Sequence, residues 1–246
     1  MNMTMIMKED NASPGGRLSL IGDGAGADIK WVWLDLDDTL YDFRGSSDIA
    51  LGGIYWSRGL GRWFESERQW KDVYHRHNAE LWELYNGGNI TKEYLKTERF
   101  MRPLTEAGAD EATVLRMSKD MDGEYLRRLA EPGLTVAGAR ELLMRLREAG
   151  KKIGILSNGF TEVQYDKLRS SSLAELVDCV VLSDEIGVNK PDRRLYDYAL
   201  AKSGATAGES VMIGDNPATD IAGALGAGWR AILFNPLTDR LLDLVE

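Results

Sequence analysis

One stretch decides the fold: Lys30-Trp31-Val32-Trp33-Leu34-Asp35-Leu36-Asp37-Asp38-Thr39-Leu40. An apolar run suited to a buried strand ends there in three carboxylates within four positions. Side chains alternate between the faces of an extended strand, so Asp35 and Asp37 are expected to point to the same side. Adjacent carboxylates repel each other unless a cation or a shared proton relieves them. The stretch therefore indicates either a metal-assisted active site or an acidic turn that caps a strand.

The composition is that of a well-packed globular protein. The chain has 246 residues, of which 43% are hydrophobic and 28% are charged, enough for one large domain or a domain with an insertion. A single cysteine excludes an internal disulfide, and this favours a reducing, cytoplasmic location. No apolar stretch approaches the ~18 residues of a membrane span, so no membrane partner is expected.

The net charge limits the partners further. At −9 it argues against a nucleic-acid polymer, because binding to a phosphate backbone needs a basic face. A small phosphorylated substrate remains compatible with it, since one lysine and a divalent cation can reverse the field at a single site. The sequence leaves the oligomeric state open between monomer and homodimer.

Periodicity divides the chain into three parts. Residues 1–29 show no sustained period and are predicted to be a flexible tail. Residues 46–130 carry apolar side chains at helical spacing, which predicts a helical bundle. Residues 30–45 and 131–246 alternate between strand and helix, which predicts an α/β core, a Rossmann-like parallel sheet flanked by helices. The bundle would be inserted after the first strand of this core.

The predicted elements have approximate boundaries. In the core, helices are expected at 136–149, 162–169, 191–202 and 219–227, and strands at 153–156, 177–182, 211–214 and 231–234. In the bundle, Thr91 is expected to cap a helix that Pro103 ends, and a last helix covers about 110–130. The bundle is also rich in aromatic residues. Most are expected to pack in its core, while one or two can stack on a planar ligand group.

The first two strand exits suit phosphoryl chemistry. Open α/β sheets place ligands at the carboxyl ends of their strands. The first exit carries the carboxylates of Asp35 and Asp37. The second is Ser157-Asn158-Gly159, where a hydroxyl and a side-chain amide can donate to phosphoryl oxygens, although such triplets are also common in ordinary turns.

The other two exits supply a cation and further carboxylates. Lys190 precedes a helix that Pro191 is predicted to open, and an ammonium beside a helix N-terminus favours an anion; a solvated surface lysine is the alternative. After strand 211–214, Asp215 is placed to bind a hard cation, and Asp220 either caps a helix or supports the ligands. A few carboxylates with open positions suit Mg²⁺, and there is no His or Cys cluster for zinc.

The four motifs, in this order, resemble those of the haloacid dehalogenase superfamily of phosphotransferases, over about residues 30–238. The segment between Leu40 and Pro132 resembles the helical cap that the C1 members insert after the first motif. The resemblance implies an enzyme that hydrolyses phosphomonoesters with Mg²⁺ as cofactor. The carboxylate of Asp35 would be the nucleophile that forms a phosphoaspartate. Asp37 would be the general acid for the leaving group and then the base for water.

The resemblance also implies roles for the remaining motif residues. Lys190 would steady both the phosphoryl group and Asp35. The phosphate-binding set would be Thr39, Ser157, Asn158 and Lys190. The Mg²⁺ ligands would be Asp35, the backbone carbonyl of Asp37, and Asp215, with Asp220 supporting them.

Three segments are similar to a subgroup of pyrimidine 5′-nucleotidases, namely 155–162, 187–191 and the cap segment 81–100. This implies nucleoside 5′-monophosphates as substrates. Three alternatives stay open: a phosphatase or mutase acting on another small metabolite such as a sugar phosphate, a 2-haloacid dehalogenase, and a non-catalytic binding module. The presence of Asp37 argues against the dehalogenase, whose relatives lack this second acid.

Overall fold

The computed structural model describes residues 28–245, which divide into two compact units. One unit spans Phe43–Gly133, and the other takes in the described residues on either side of it, 28–42 and 134–245. The predicted insertion, 46–130, lies within the first of these ranges. Of the predicted tail, residues 1–27 lie outside the described residues, while Ile29 is buried in the core of the α/β unit.

The α/β unit is built on a five-stranded sheet in the order β3-β2-β1-β4-β5. All four strand pairs are parallel, as the strand-helix alternation predicts. The strands are β1 (Trp31–Leu34), β2 (Lys152–Ser157), β3 (Cys179–Leu182), β4 (Ser210–Gly214) and β5 (Arg230–Leu233). The stretch Lys30–Leu40 therefore supplies the central strand, and its carboxylates follow directly at the carboxyl end.

Alternation along β1 gives the sheet two apolar faces. Val32 and Leu34 belong to one core cluster, which includes leucines of helix α5 (Ala139–Glu148) and helix α6 (Thr161–Ser170). Trp33 belongs to a second cluster with residues of α7 (Arg193–Ser203) and α8 (Ala222–Gly226). Gly154 pairs with Trp33 on the neighbouring strand, and a β-carbon there would lie 2.2 Å from the indole. The strand glycine therefore makes room for the tryptophan.

The second unit is a helical bundle, as predicted, and it has four α-helices. They are α1 (Phe43–Ser57), α2 (Glu67–Asn86), α3 (Lys92–Glu106) and α4 (Glu111–Ala130). Its interior is largely aromatic, with Trp70, Tyr74, Phe100 and Tyr125 buried against one another. By contrast, the side chain of Trp56 is 73% exposed.

Several predicted boundaries were wrong by a few residues. Thr91 caps α3 as predicted, but Pro103 lies inside that helix, which continues to Glu106. Pro191 does not open α7: the helix begins at Arg193, and Asp192 caps it by accepting a hydrogen bond from the Arg194 N–H. The helix predicted at 219–227 is a short π-helix, Pro217–Ile221, followed by α8. Within residues 28–245, no helix is both long and apolar enough to cross a membrane.

Candidate active site

Parallel pairing brings the predicted site residues to one edge of the sheet. Asp35 follows β1, Ser157 ends β2, and Asp215 follows β4. The backbone N–H of Asp35 donates to Ile213 in β4, so the first acidic residue is still held in the sheet. Because the strands are parallel, these side chains meet although they are far apart in the sequence.

Lys190 is the positive centre of this edge. It is buried, and its Nζ lies 2.7 Å from Asp35 Oδ1, 2.7 Å from the carbonyl oxygen of Leu156 and 2.7 Å from Asp220 Oδ1. A buried ammonium is strongly destabilising unless carboxylates and hydrogen bonds offset its lost hydration. The prediction that a lysine from this motif contacts Asp35 agrees with these distances. The predicted helix N-terminus beside it does not, since α7 begins three residues later.

Asn158 contacts the backbone of Lys190 on both sides. Its Oδ1 accepts from the Lys190 N–H at 2.7 Å, and its Nδ2 donates to the Lys190 carbonyl at 3.0 Å. This side chain therefore fixes the lysine-bearing loop. Its predicted contact with a phosphoryl group stays a prediction.

Three carboxylates form an acidic cluster next to the lysine. Asp35, Asp215 and Asp220 each offer an oxygen, and these oxygens all lie within 4.8 Å of one another. Asp220 already pairs with Lys190 through Oδ1 and accepts from the Asn216 N–H through Oδ2 at 3.1 Å. Both oxygens of Asp220 are thus engaged within the protein. Its supporting role and the metal-ligand roles of Asp35 and Asp215 stay predictions.

Burial and crowding together raise the pKa values of two of these carboxyl groups. Burial raises the pKa of Asp35 to about 8; Lys190 opposes this rise, while Asp220 and Asp215 add to it. Burial also raises the pKa of Asp215 to about 6, and the nearby carboxylate of Asp220 contributes. Burial alone would lower the pKa of Lys190, but Asp220 and Asp35 outweigh it and raise that pKa above its ordinary range.

The donor set fits Mg²⁺. It consists of carboxylate oxygens from two or three side chains, without nitrogen or sulfur, at a site with more negative than positive charge. Hard divalent cations prefer such oxygens, and Mg²⁺ keeps open positions for water and phosphate oxygens. A bound cation would oppose the burial and the neighbouring carboxylates that raise the pKa values of Asp35 and Asp215. The Asp37 backbone carbonyl as a third ligand stays a prediction.

The loop after β1 carries the other two predicted residues. Asp38 has φ 55°, in the left-handed region that aspartate tolerates better than most residues. Thr39 is fully buried, and its Oγ1 has no hydrogen-bond partner within the described chain. A phosphoryl oxygen would satisfy this hydroxyl, and the phosphate-binding role of Thr39 stays a prediction. Asp37 remains partly exposed, with its side chain 27% accessible.

Two residues at this site were missed by the sequence analysis. Lys167 Nζ donates to Asp37 Oδ1 at 2.6 Å, and Gln164 Nε2 donates to Asp37 Oδ2 at 3.1 Å. A signal was present in the sequence, because positions 164 and 167 fall on the same face of α6 as the buried Val163 and Leu168. Polar side chains on the buried face of an amphipathic helix need a polar partner.

Comparison with known proteins identifies relatives that match most of this chain. The profile of the haloacid dehalogenase-like hydrolases matches residues 29–228. Pyrimidine 5′-nucleotidase YjjG of Escherichia coli strain K12 is 31% identical over 210 residues, which cover 84% of this chain and 87% of the nucleotidase. A glyceraldehyde 3-phosphate phosphatase of Methanothermobacter thermautotrophicus is 31% identical over 224 residues, covering 89% and 91% of the two chains.

A solved structure has the same fold. The crystal structure of the HAD-hydrolase YfnB from Bacillus subtilis, bound to magnesium, superposes with a TM-score of 0.77 at 25% identity. The superposition covers 86% of this chain and 91% of YfnB. The predicted fold class and the predicted resemblance are therefore confirmed.

Proposed function

Because the chain belongs to the haloacid dehalogenase-like hydrolase family, we propose that it is a Mg²⁺-dependent phosphomonoesterase that acts through a phosphoaspartate at Asp35. The observation that carries this proposal is the buried contact of 2.7 Å between Lys190 Nζ and Asp35 Oδ1, beside the carboxylate of Asp215. An anionic nucleophile approaches an anionic phosphoryl group only where nearby positive charge offsets their repulsion.

The first half of the reaction forms the phosphoaspartate. An oxygen of Asp35 attacks phosphorus while the bond from phosphorus to the leaving oxygen breaks. Asp37 gives a proton to that oxygen, and the alcohol departs. Lys190 stays in contact with Asp35 and meets the phosphoryl oxygens, and Ser157 donates its hydroxyl hydrogen to another of them.

The second half releases phosphate. Asp37, now ionised, takes a proton from a water molecule as the water oxygen attacks phosphorus. The bond between phosphorus and the Asp35 oxygen breaks, which restores the free carboxylate. Dividing one hydrolysis into two transfers lowers each barrier, and a positioned acid or base contributes roughly 10²–10⁴ in rate.

Asp35 and Asp215 would hold the magnesium ion, with Asp220 supporting them. When bound, Mg²⁺ supplies positive charge to the phosphoryl oxygens. The excess of carboxylates over lysines at this edge is the local reason for assigning it.

The favoured substrates are nucleoside 5′-monophosphates. The support is the similarity over most of the chain to a pyrimidine 5′-nucleotidase, at 31% identity. A relative named for glyceraldehyde 3-phosphate is equally identical, so a phosphatase of another small metabolite is the second candidate. A cytoplasmic location and a monomeric or homodimeric state stay predictions.

The test is a turnover assay on purified protein. It uses p-nitrophenyl phosphate, UMP and other nucleoside 5′-monophosphates, and glyceraldehyde 3-phosphate, each with Mg²⁺ and with EDTA. We expect Mg²⁺-dependent phosphate release that Asp35→Asn abolishes and Asp197→Asn, a change of an exposed helical carboxylate, leaves intact. Mass spectrometry after an acid quench should find the phosphoryl group on Asp35.

Three results would contradict the proposal in distinguishable ways. Full turnover by Asp35→Asn would exclude the phosphoaspartate mechanism. Chloride release from 2-chloropropionate in EDTA would favour a dehalogenase. Binding of Mg²⁺ without turnover of any ester would favour the non-catalytic module.

A further inference from the structure

Two polar side chains of helix α6, those of Gln164 and Lys167, are buried in the protein. Gln164 is 0% exposed and Lys167 is 1% exposed, and the apolar side chains of Val163 and Leu168 are buried on the same face. A lysine so deeply buried is strongly destabilising unless a carboxylate lies beside it. The partner that the fold supplies is Asp37, 130 residues earlier in the chain.

Lys167 and Gln164 hold opposite oxygens of the Asp37 carboxylate. Lys167 Nζ donates to Oδ1 at 2.6 Å, and Gln164 Nε2 donates to Oδ2 at 3.1 Å. Lys167 Nζ also lies 5.5 Å from the ring centroid of Tyr41, which favours a cation at that position. Contacts on both oxygens fix the plane of the carboxylate, while each oxygen keeps a second lone pair.

Gln164 also connects Asp37 to Ser157. Its Nε2 donates to Ser157 Oγ at 2.8 Å as well as to Asp37. An ionised carboxylate only accepts hydrogen bonds, so the nitrogen of the amide, which carries two hydrogens, must face these two acceptors. The amide of Gln164 therefore ties the predicted acid and base to the predicted phosphate-binding hydroxyl.

These contacts decide which way the Ser157 hydroxyl donates. Ser157 Oγ accepts from Gln164 Nε2 and from the Gly159 N–H at 3.2 Å. A serine hydroxyl has two acceptor lone pairs and one donor hydrogen. With both lone pairs engaged, its hydrogen is left to donate, and a phosphoryl oxygen is an acceptor.

Gly159 makes this arrangement fit. A β-carbon at position 159 would lie 2.2 Å from Gln164 Nε2 and 2.3 Å from its Cδ. The glycine of the Ser157-Asn158-Gly159 motif thus provides the space that Gln164 occupies.

We propose that Lys167 and Gln164 are positioning residues: together they orient the Asp37 carboxylate, and Gln164 sets Ser157 as a donor. This inference rests on the proposed function, because Asp37 and Ser157 take their roles from it. Both act through Asp37, and Gln164 also acts through Ser157, and neither is assigned a contact with the substrate. Loss of Lys167 acts through Asp37 and therefore slows proton transfer to the leaving group.

The test compares two leaving groups. p-Nitrophenolate departs without protonation, whereas the alkoxide of UMP needs a proton from Asp37. Lys167→Met should lower kcat/KM for UMP by roughly 10-fold or more and kcat/KM for p-nitrophenyl phosphate far less. The matched control is Arg169→Met, which removes an exposed cation from the same helix and should leave both values unchanged.

A double-mutant cycle separates positioning from general loss of structure. If Lys167 acts through Asp37, adding Lys167→Met to Asp37→Asn should cost no further activity, since residues that act as one unit are not additive. The proposal is wrong if the loss of activity in the double variant is the product of the losses in the two single variants. It is also wrong if Lys167→Met lowers kcat/KM equally for the two esters. If Lys167→Met does not fold, Lys167→Gln, which keeps a polar group at this buried position but removes the charge, is used in the same cycle with the same expected pattern.

The outcomes also separate this inference from the proposed function. A wild-type protein that hydrolyses neither ester defeats both. A wild-type protein that hydrolyses both, with an unchanged ratio of the two kcat/KM values in Lys167→Met, defeats only the positioning role.

Discussion

The ammonium of Lys190 and the carboxylate of Asp35 are 155 residues apart in the sequence and 2.7 Å apart in the structure. The lysine enters from the loop between β3 and α7, and the aspartate follows the central strand β1. Asp220 contacts the same ammonium at 2.7 Å. One buried cation thus holds a carboxylate from the first motif and another from the last.

Replacing Lys190 should therefore destabilise the protein as well as inactivate it. Lys190→Met leaves two buried carboxylates without their cation, which we expect to lower the free energy of unfolding by about 3–5 kcal/mol. Urea denaturation in EDTA measures this. Lys202→Met, which breaks a partly exposed ion pair with Glu185, should cost less than about 1 kcal/mol. If the two variants lose the same free energy of unfolding, Lys190 is not the cation that stabilises the two buried carboxylates.

Gly214 should not tolerate a side chain. A β-carbon there would lie 2.2 Å from Asp220 Oδ2, so Gly214→Ala must displace the carboxylate that supports Lys190. We expect a loss of about 1–3 kcal/mol in the free energy of unfolding and a clear loss of phosphatase activity. Gly226→Ala is the control, because nothing lies within 4 Å of that added carbon. A fully active, equally stable Gly214→Ala protein would show that Asp220 is not needed where it lies.

Magnesium should stabilise the folded chain through Asp215. A ligand that binds only the folded state at 100 times its Kd adds about 2.7 kcal/mol, so the Tm should rise with Mg²⁺ concentration. Asp215→Asn should remove that rise, because it takes a charged oxygen from the acidic cluster. Asp197→Asn, at an exposed position, should keep it. If the Tm of Asp215→Asn still rises with Mg²⁺ concentration, the metal binds at another site.

Without metal, stability should fall as pH rises. Burial raises the pKa of Asp35 from its ordinary 3.8 to about 8, so between those values the folded state holds a proton that the unfolded state has lost. The free energy of unfolding therefore decreases with pH, by at most ~1.4 kcal/mol per pH unit. Urea denaturation in EDTA from pH 5 to pH 8 should show this slope, reduced in Asp35→Asn. Identical slopes in the two proteins would contradict the raised pKa.

The sequence by itself determined the order of strands and helices and the polar residue at each strand exit. Those features are local: apolar runs, a serine-asparagine-glycine turn, and aspartates next to buried strands. The parallel sheet follows from them because strand-helix alternation admits few topologies, whereas the central place of the first strand was decided by the tertiary structure. Local signals were weakest at proline, where Pro103 continues a helix and Pro191 does not open one.

Only the tertiary structure decided which of these polar groups meet. The pairing of Lys167 and Gln164 with Asp37, and of the Asn158 amide with the Lys190 backbone, joins residues 32 to 130 positions apart. The sequence marks such side chains as polar, but neighbouring strands and the helix that packs over them set the contacts. Burial then gives these contacts their strength, because a charge removed from water must find its partner within the fold.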